Sequence, residues 1–345
     1  MNSTRSILLI YTGGTIGMKQ DPDTLLLKPF DFSQITEEMP ELRKFGCNID
    51  ALSFDPVIDS SDVRPETWVE IAEIIERYYD RYDGFVVLHG TDTMAYSASA
   101  LSFMLEDLEK PVIFTGSQLP IGMLRTDGKE NLITSIEIAS ATDDDGHPTV
   151  PEVCIYFENR LYRGNCTIKY SSENFRAFKS ANCPELADVG IHIRFNRNLI
   201  HRPTEWGRKL KVHTEMDTNV AILRLFPGIS HTYISSVLDT PGLRAVVLET
   251  YGSGNAPSSK WFLDIIRAHT SRGLVMVNVT QCPTGSVDMG AYATGAGLLE
   301  AGVISGFDIT TESALTKLFL LLGQYAEPTV VKEKMMERLC GEFSN

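Results

Sequence analysis

The sequence predicts an α/β protein made of two doubly wound parallel-sheet domains, the N-terminal one larger than the C-terminal one. Three observations carry that expectation. The chain has 345 residues, more than one ordinary core supports, so two domains are the prior. Short apolar runs of strand length alternate with segments whose apolar residues recur at helical spacing, the order of a βαβ chain. The runs also end in glycine- and hydroxyl-bearing tips, as at Gly13-Gly14-Thr15 and Gly90-Thr91-Asp92, and that edge of an open parallel sheet is where ligands bind.

Residues 7–11 read as a buried first strand, closed by Gly13 and Gly14, which can adopt backbone angles denied to other residues and leave the neighbouring amides uncovered. Residues 18–30 contain Asp21-Pro22-Asp23, a strong turn signal, and read as a hairpin or flap beside that tip. Residues 48–56 alternate like a half-buried strand and deliver Asp59-Ser60-Ser61-Asp62. Pro65 then opens a helix with Trp68, Ile71, Ala72, Ile75 and Tyr79 on one face. Asp83-Gly84 turns into a buried strand at 85–88, and residues 95–108 are apolar at helical spacing, so Thr91 and Asp92 stand between strand and helix. A strand at 110–114 ends at Thr115-Gly116-Ser117-Gln118, followed by a helix at 129–141 and a strand at 152–157. From 191 to 214 the period is lost and Arg194, Arg197 and Arg202 crowd among asparagines and Pro203. An interdomain linker is expected there, between domains 1–190 and 215–345. A second alternation follows, with strands at 220–225, 245–249 and 274–279 and helices near 233–238, 259–272, 291–301 and 313–322.

Composition narrows the function. A 43% apolar and 22% charged chain is that of a soluble globular protein. A net charge of −14 argues against nucleic acid, whose phosphates call for basic patches. The apolar stretches fall short of the roughly 20 residues a membrane span needs, and residues 7–11 are too few for the apolar core of a signal peptide. No membrane partner is expected, and a cytoplasmic location is. Six cysteines form no C-x-x-C pair and no His spacing suited to zinc, so they read as reduced thiols, and neither metal nor cofactor is expected.

Two hydroxyl-bearing tips at strand ends are the chemical signal. A Gly-Gly-Thr turn alone is equally compatible with a threonine bonding its own backbone, and Asp92 alone with a helix N-cap. Neither G-x-x-x-x-G-K-[ST] nor G-x-G-x-x-G fits these residues, which sets a phosphate loop aside. Taken as a pair, the tips favour a site.

The stretches T-G-G-T-I-G at Thr12–Gly17 and H-G-T-D-T at His89–Thr93 resemble the two signatures of bacterial-type L-asparaginases. Asp59–Asp62, Thr115–Gln118, Asn159–Asn165, Tyr251–Pro257 and Asn278–Cys282 extend the likeness over almost the whole chain, most closely to the cytoplasmic type I branch. The resemblance implies hydrolysis of L-asparagine to L-aspartate and ammonia, with Thr15 acylated as a β-aspartyl ester. Thr91, Asp92 and Lys169 would form a triad in which Lys169, by itself an unremarked lysine, becomes the base. Backbone amides after Gly14 and Gly90 are the oxyanion donors the residues suggest. Substrate contacts are expected at Gly14, Asp59, Ser60, Ser61, Gly90, Thr91, Asp92, Ser117 and Asn255, with Asp92 taking the ammonium and Ser60 and Ser61 the carboxylate. The family also implies self-association as a dimer or dimer of dimers, Asn255 reaching a neighbouring subunit's site. Many relatives carry a flap tyrosine over the nucleophile, and none lies between Gly17 and Phe30 here. Certain relatives sense asparagine at a second site, where an arginine can stand in the position of Glu249, and this departure argues against that regulation.

Overall fold

The structure is a computed structural model that describes residues 4–20, 27–29, 39–290 and 293–344. The chain divides into two units, Met1–Ser180 with Pro184–His213, and Ala181–Cys183 with Thr214–Asn345. Each is a sheet with helices packed on it.

In chain order the first unit contains β1 (Ser6–Tyr11), the hairpin strands β2 (Met18–Gln20) and β3 (Leu27–Pro29), β4 (Asn48–Ser53), α1 (Pro65–Tyr78), β5 (Gly84–Leu88), α2 (Met94–Met104) and β6 (Val112–Thr115). It continues with α3 (Gly128–Ser140), β7 (Val153–Phe157), β8 (Arg160–Arg163), β9 (Ala187–Val189) and β10 (Ile193–Phe195). The eight-stranded sheet has the order β10-β9-β8-β7-β6-β5-β1-β4. Pairing is parallel from β4 to β7 and antiparallel from β7 to β10. From β1 the chain moves to one side to make β4 and then to the other to make β5, so strand order reverses at β1. The crevice beyond the carboxyl ends of β1 and β5 is therefore the topological switch point.

β5 and β7 are buried along their whole length, as continuous apolar runs in a sheet covered on both faces should be. α1 starts on Pro65, where the missing N–H costs nothing, and the Thr67 hydroxyl accepts from the Arg64 amide. α2 ends at Met104 rather than near 108. Leu105–Glu106 leaves the helix to bridge Lys211–Val212, and Asp107 takes a φ of 59° that no helix accommodates. The β2–β3 pair confirms a hairpin stem, and its turn at 21–26, with Asp21-Pro22-Asp23, lies outside the described residues.

The segment read as a linker is largely ordered against the first unit. Residues 193–195 form its edge strand β10, and both Arg197 and Arg202 pair with the buried carboxylate of Asp143. Arg163 and Glu152 make a buried ion pair at 2.7 Å, and Glu152 also receives the His201 amide.

The second unit holds β11 (Val220–Arg224), α4 (His231–Leu238), β12 (Ala245–Thr250), α5 (Lys260–Thr270), β13 (Val275–Thr280), α6 (Ala293–Glu300), β14 (Ile304–Ser305), α7 (Thr311–Gln324) and α8 (Pro328–Met336). Its four strands are parallel and lie in chain order. Alternate residues of β12 feed two cores: Val246 and Leu248 pack with Ile234, Phe262 and Ile266, while Ala245 and Val247 pack with Leu318, Leu321 and Val331. Lys317 is fully buried in the second of these. Its ammonium donates to the carbonyls of Met335 (3.0 Å) and Glu337 (2.6 Å) and to Glu342 Oε1 (2.6 Å). All three protons are thereby placed. Glu249, at the end of β12, accepts from Arg224 (3.1 Å) and Thr311 (2.7 Å). Among the described residues no helix is long and apolar enough to cross a membrane.

Candidate active site

β1 and β5 are adjacent and in register, Tyr11 opposite Leu88. Their tips therefore meet at the switch point. Gly14 has a φ of 89°, open to glycine at little cost, and a Cβ there would lie 2.6 Å from both Cα and N of Gly90. Gly90 in turn faces Ser60: a Cβ on it would lie 2.5 Å from the Ser60 hydroxyl oxygen. Three separate stretches thus converge, Gly14 on the Gly90 backbone and Gly90 on the Ser60 side chain, and the glycines are what allow it.

Thr15 is half-buried and opens a single 3-10 turn, Thr15–Gly17. Thr91 is buried at 9% exposure. Lys169 reaches it from the short pair Ile168–Lys169 with Phe178–Lys179, its Nζ donating to Thr91 Oγ1 at 2.9 Å and also to Asp92 Oδ1. Lys169 is 17% exposed and Asp92 64%, so the pair has a sheltered amine and a carboxylate open to an incoming ligand. Asp92 does not cap α2. The N-cap position falls on Thr93, whose hydroxyl donates to the Ser60 carbonyl at 2.6 Å and ties the 59–62 loop to the Thr91 loop.

Asp59 accepts from both the amide (2.8 Å) and the hydroxyl (2.7 Å) of Ser61. Those bonds, the amide's first, hold its carboxyl below the usual carboxylate range. Ser60 is buried against Gly90, while Asp59 and Ser61 are exposed. Ser117 is buried and spends its proton on the Leu119 carbonyl at 2.6 Å, which leaves its oxygen as an acceptor. Asn255 belongs to the second unit, where it closes a tight loop by exchanging backbone bonds with Tyr251.

Two features were missed by the sequence reading. Gln118 stands beside Thr91, receiving a long bond from its hydroxyl at 3.4 Å and donating to the Asn174 carbonyl at 3.1 Å. Beneath Gly90 lies a buried chain of Trp68, Ser97 and His89. Gln118 and His89 fall inside stretches the sequence singles out, but their contacts with Thr91, Asn174, Ser97 and Trp68 are made by the fold.

A lysine, a threonine hydroxyl and a carboxylate in contact at a switch point, beside two glycine-flanked amides, are the equipment of an α/β amidohydrolase. The comparisons agree with that class. The family description "Asparaginase, N-terminal" matches residues 6–201, and "Glutaminase/Asparaginase C-terminal domain" matches residues 219–335. The chain is 44% identical to L-asparaginase 1 of Escherichia coli (strain K12) over 342 residues, 99% of this chain and 98% of that protein. The crystal structure of L-asparaginase I from Vibrio cholerae superposes with a TM-score of 0.90 at 41% identity, covering 99% of this chain and 100% of that one. The thermostable L-asparaginase from Thermococcus kodakarensis gives 0.88 at 32% identity, with 99% of each chain covered. The chain belongs to the asparaginase family.

Proposed function

We propose that this protein hydrolyses L-asparagine to L-aspartate and ammonia, with Thr15 as the nucleophile. The observation that carries the reading is the contact of Lys169 with Thr91 and Asp92 on a loop whose backbone touches that of the Thr15 loop.

A carboxamide is inert in water, so its cleavage needs a nucleophile, a proton acceptor and donors for the developing oxyanion. The Thr15 hydroxyl attacks the side-chain amide carbon and the C–N bond breaks. Ammonia leaves with the proton, and a β-aspartyl ester remains on Thr15. Water then attacks the ester while Thr91 and Lys169 take its proton, and Thr15 recovers its hydroxyl hydrogen as aspartate departs. The Thr15 and Thr91 amides face the oxyanion, each such donor contributing about 3–4 kcal/mol. Asp92 holds Lys169 against Thr91 and is also the acceptor assigned to the substrate ammonium.

The substrate carboxylate is assigned to Ser60, Ser61 and nearby amides, with Asp59 and Ser117 as further contacts. Glutamine differs by one methylene, worth roughly 1–3 kcal/mol, so slow glutaminase turnover is expected. No metal or cofactor enters the scheme. By family resemblance the protein works in the cytoplasm as a dimer or dimer of dimers, with Asn255 contacting substrate in a neighbouring copy.

The test is ammonia release by the purified protein from L-asparagine, L-glutamine and D-asparagine, with and without chelator, alongside Thr15→Ala. Loss of turnover in a folded Thr15→Ala protein is expected. Unimpaired turnover by that variant would end the nucleophile assignment.

A further inference from the structure

The buried chain under Gly90 has one consistent proton arrangement. His89 Nδ1 lies 2.6 Å from the Gly90 carbonyl oxygen, which has no proton to give, so Nδ1 carries the hydrogen. Its Nε2 lies 2.9 Å from Ser97 Oγ, and Ser97 Oγ lies 2.9 Å from Trp68 Nε1. An indole N–H only donates. In the neutral ring, Trp68 therefore donates to Ser97, Ser97 to His89, and His89 to Gly90. His89 and Ser97 are buried to 1% and 0% exposure, and no carboxylate bonds either of them among the described residues. Burial also pushes the His89 imidazole down to about 4, so it is uncharged at neutral pH.

The chain ends on the carbonyl of the peptide whose N–H belongs to Thr91. Among the described hydrogen bonds that N–H has no acceptor, and neither has the Thr15 N–H. The Gly14 carbonyl, on the other peptide, likewise receives a hydroxyl from beneath, Tyr11 Oη at 3.3 Å. Hydrogen bonds in series polarise one another. A donor on the oxygen side of a peptide makes the nitrogen side a better donor.

We propose that His89 is a positioning residue: the Trp68–Ser97–His89 relay holds and polarises the Gly90–Thr91 peptide so that the Thr91 amide stabilises the oxyanion. The proposal rests on the asparaginase reading above. It assigns His89 no proton transfer and no contact with substrate.

One oxyanion donor is worth about a hundred- to a thousandfold in kcat, and serial polarisation strengthens a bond by about 10–30%. Applied to the logarithm of the rate, this predicts that His89→Leu lowers kcat between about twofold and eightfold. KM for L-asparagine should change less than twofold, because the oxyanion exists only in the transition state. Ser97→Ala, which removes the donor that fixes the imidazole tautomer, should lower kcat in the same sense by a smaller factor, and Trp68→Phe by less again.

The experiment measures kcat and KM for the three variants and the parent, with calorimetric titration by L-aspartate to count competent sites. A kcat loss per competent site at constant KM, graded along the relay, is the expected result. Unchanged kcat in His89→Leu, a loss matched by fewer competent sites, or a loss confined to KM overturns it. If His89→Leu does not fold, Ser97→Ala decides by the same criteria. An inactive parent protein would instead remove the activity assignment, whereas an active parent with a dead Thr15→Ala and a normal His89→Leu removes only the relay.

Discussion

Gly14→Ala tests the meeting of the two tips most directly. The new Cβ would lie 2.6 Å from Gly90 Cα and Gly90 N and 3.1 Å from the His89 carbonyl carbon. Carbon atoms in contact settle near about 3.5 Å, so the Thr15 and Thr91 loops must part by roughly 1 Å. All three clashing atoms are backbone, and no side chain can swing aside. The φ of 89° adds strain for any residue with a Cβ. A displacement of about 1 Å between reacting groups costs on the order of a hundredfold in rate, and the strain costs about 1–3 kcal/mol of stability. The assay is kcat/KM for ammonia release together with a thermal melt. A folded protein with at least a thirtyfold lower kcat/KM is expected. Activity within threefold of the parent would show that the two loops need not touch for turnover, and would refute a site formed by their contact.

Two further perturbations address the second unit. Lys317→Met leaves the Glu342 carboxylate buried without its cation, a loss of roughly 3–5 kcal/mol for a broken buried pair; hydrogen exchange along α7 should accelerate, and Lys317→Met with Glu342→Gln should recover most of the loss. A single variant as protected as the parent would contradict this. Burial first, and then the nearby Glu249 charge, raise the Glu312 carboxyl above its ordinary range. The folded state therefore holds that proton to higher pH than the unfolded one, and stability falls as pH rises from the ordinary carboxylate range through the raised value. Urea midpoints of Glu312→Gln and the parent should accordingly diverge in favour of the variant as pH rises above the ordinary carboxylate range, and a constant difference would refute the assignment.

Strands β1, β5, β6 and β7 were legible because both their faces are buried, which forces uninterrupted apolar runs that composition alone exposes. The overrun of α2 has a local cause. Leu105 keeps the helical period but is buried as a bridging strand residue, and Asp107 breaks the helix by its backbone angle. The basic crowd at 194–202 looked like free chain because its partner, Asp143, lies some fifty positions earlier. α8 gave little signal, since only Val331 and Met335 are buried in nine residues. At the site, Thr15 and Thr91 could be singled out from their glycine tips, and Asp92 from its place before a helix. Lys169 could not: a lysine in Cys166-Thr167-Ile168-Lys169 is indistinguishable from a surface residue until the fold carries it to Thr91. The same holds for Trp68, Ser97 and His89, joined only through packing.

The two sheets differ in a way that bears on where chemistry can be housed. In the second unit the strands run in chain order, so successive crossovers fall on one side and the sheet has no topological switch point. In the first unit the chain leaves β1 toward β4 and returns on the far side as β5. Loops from adjacent strands then diverge over opposite faces, and the space between them stays open. There two hydroxyl-bearing tips separated by some 75 positions become neighbours. Gly14 and Gly90 let the two loops close to backbone contact there, which is what brings the Thr15 and Thr91 amides onto one side of the opening.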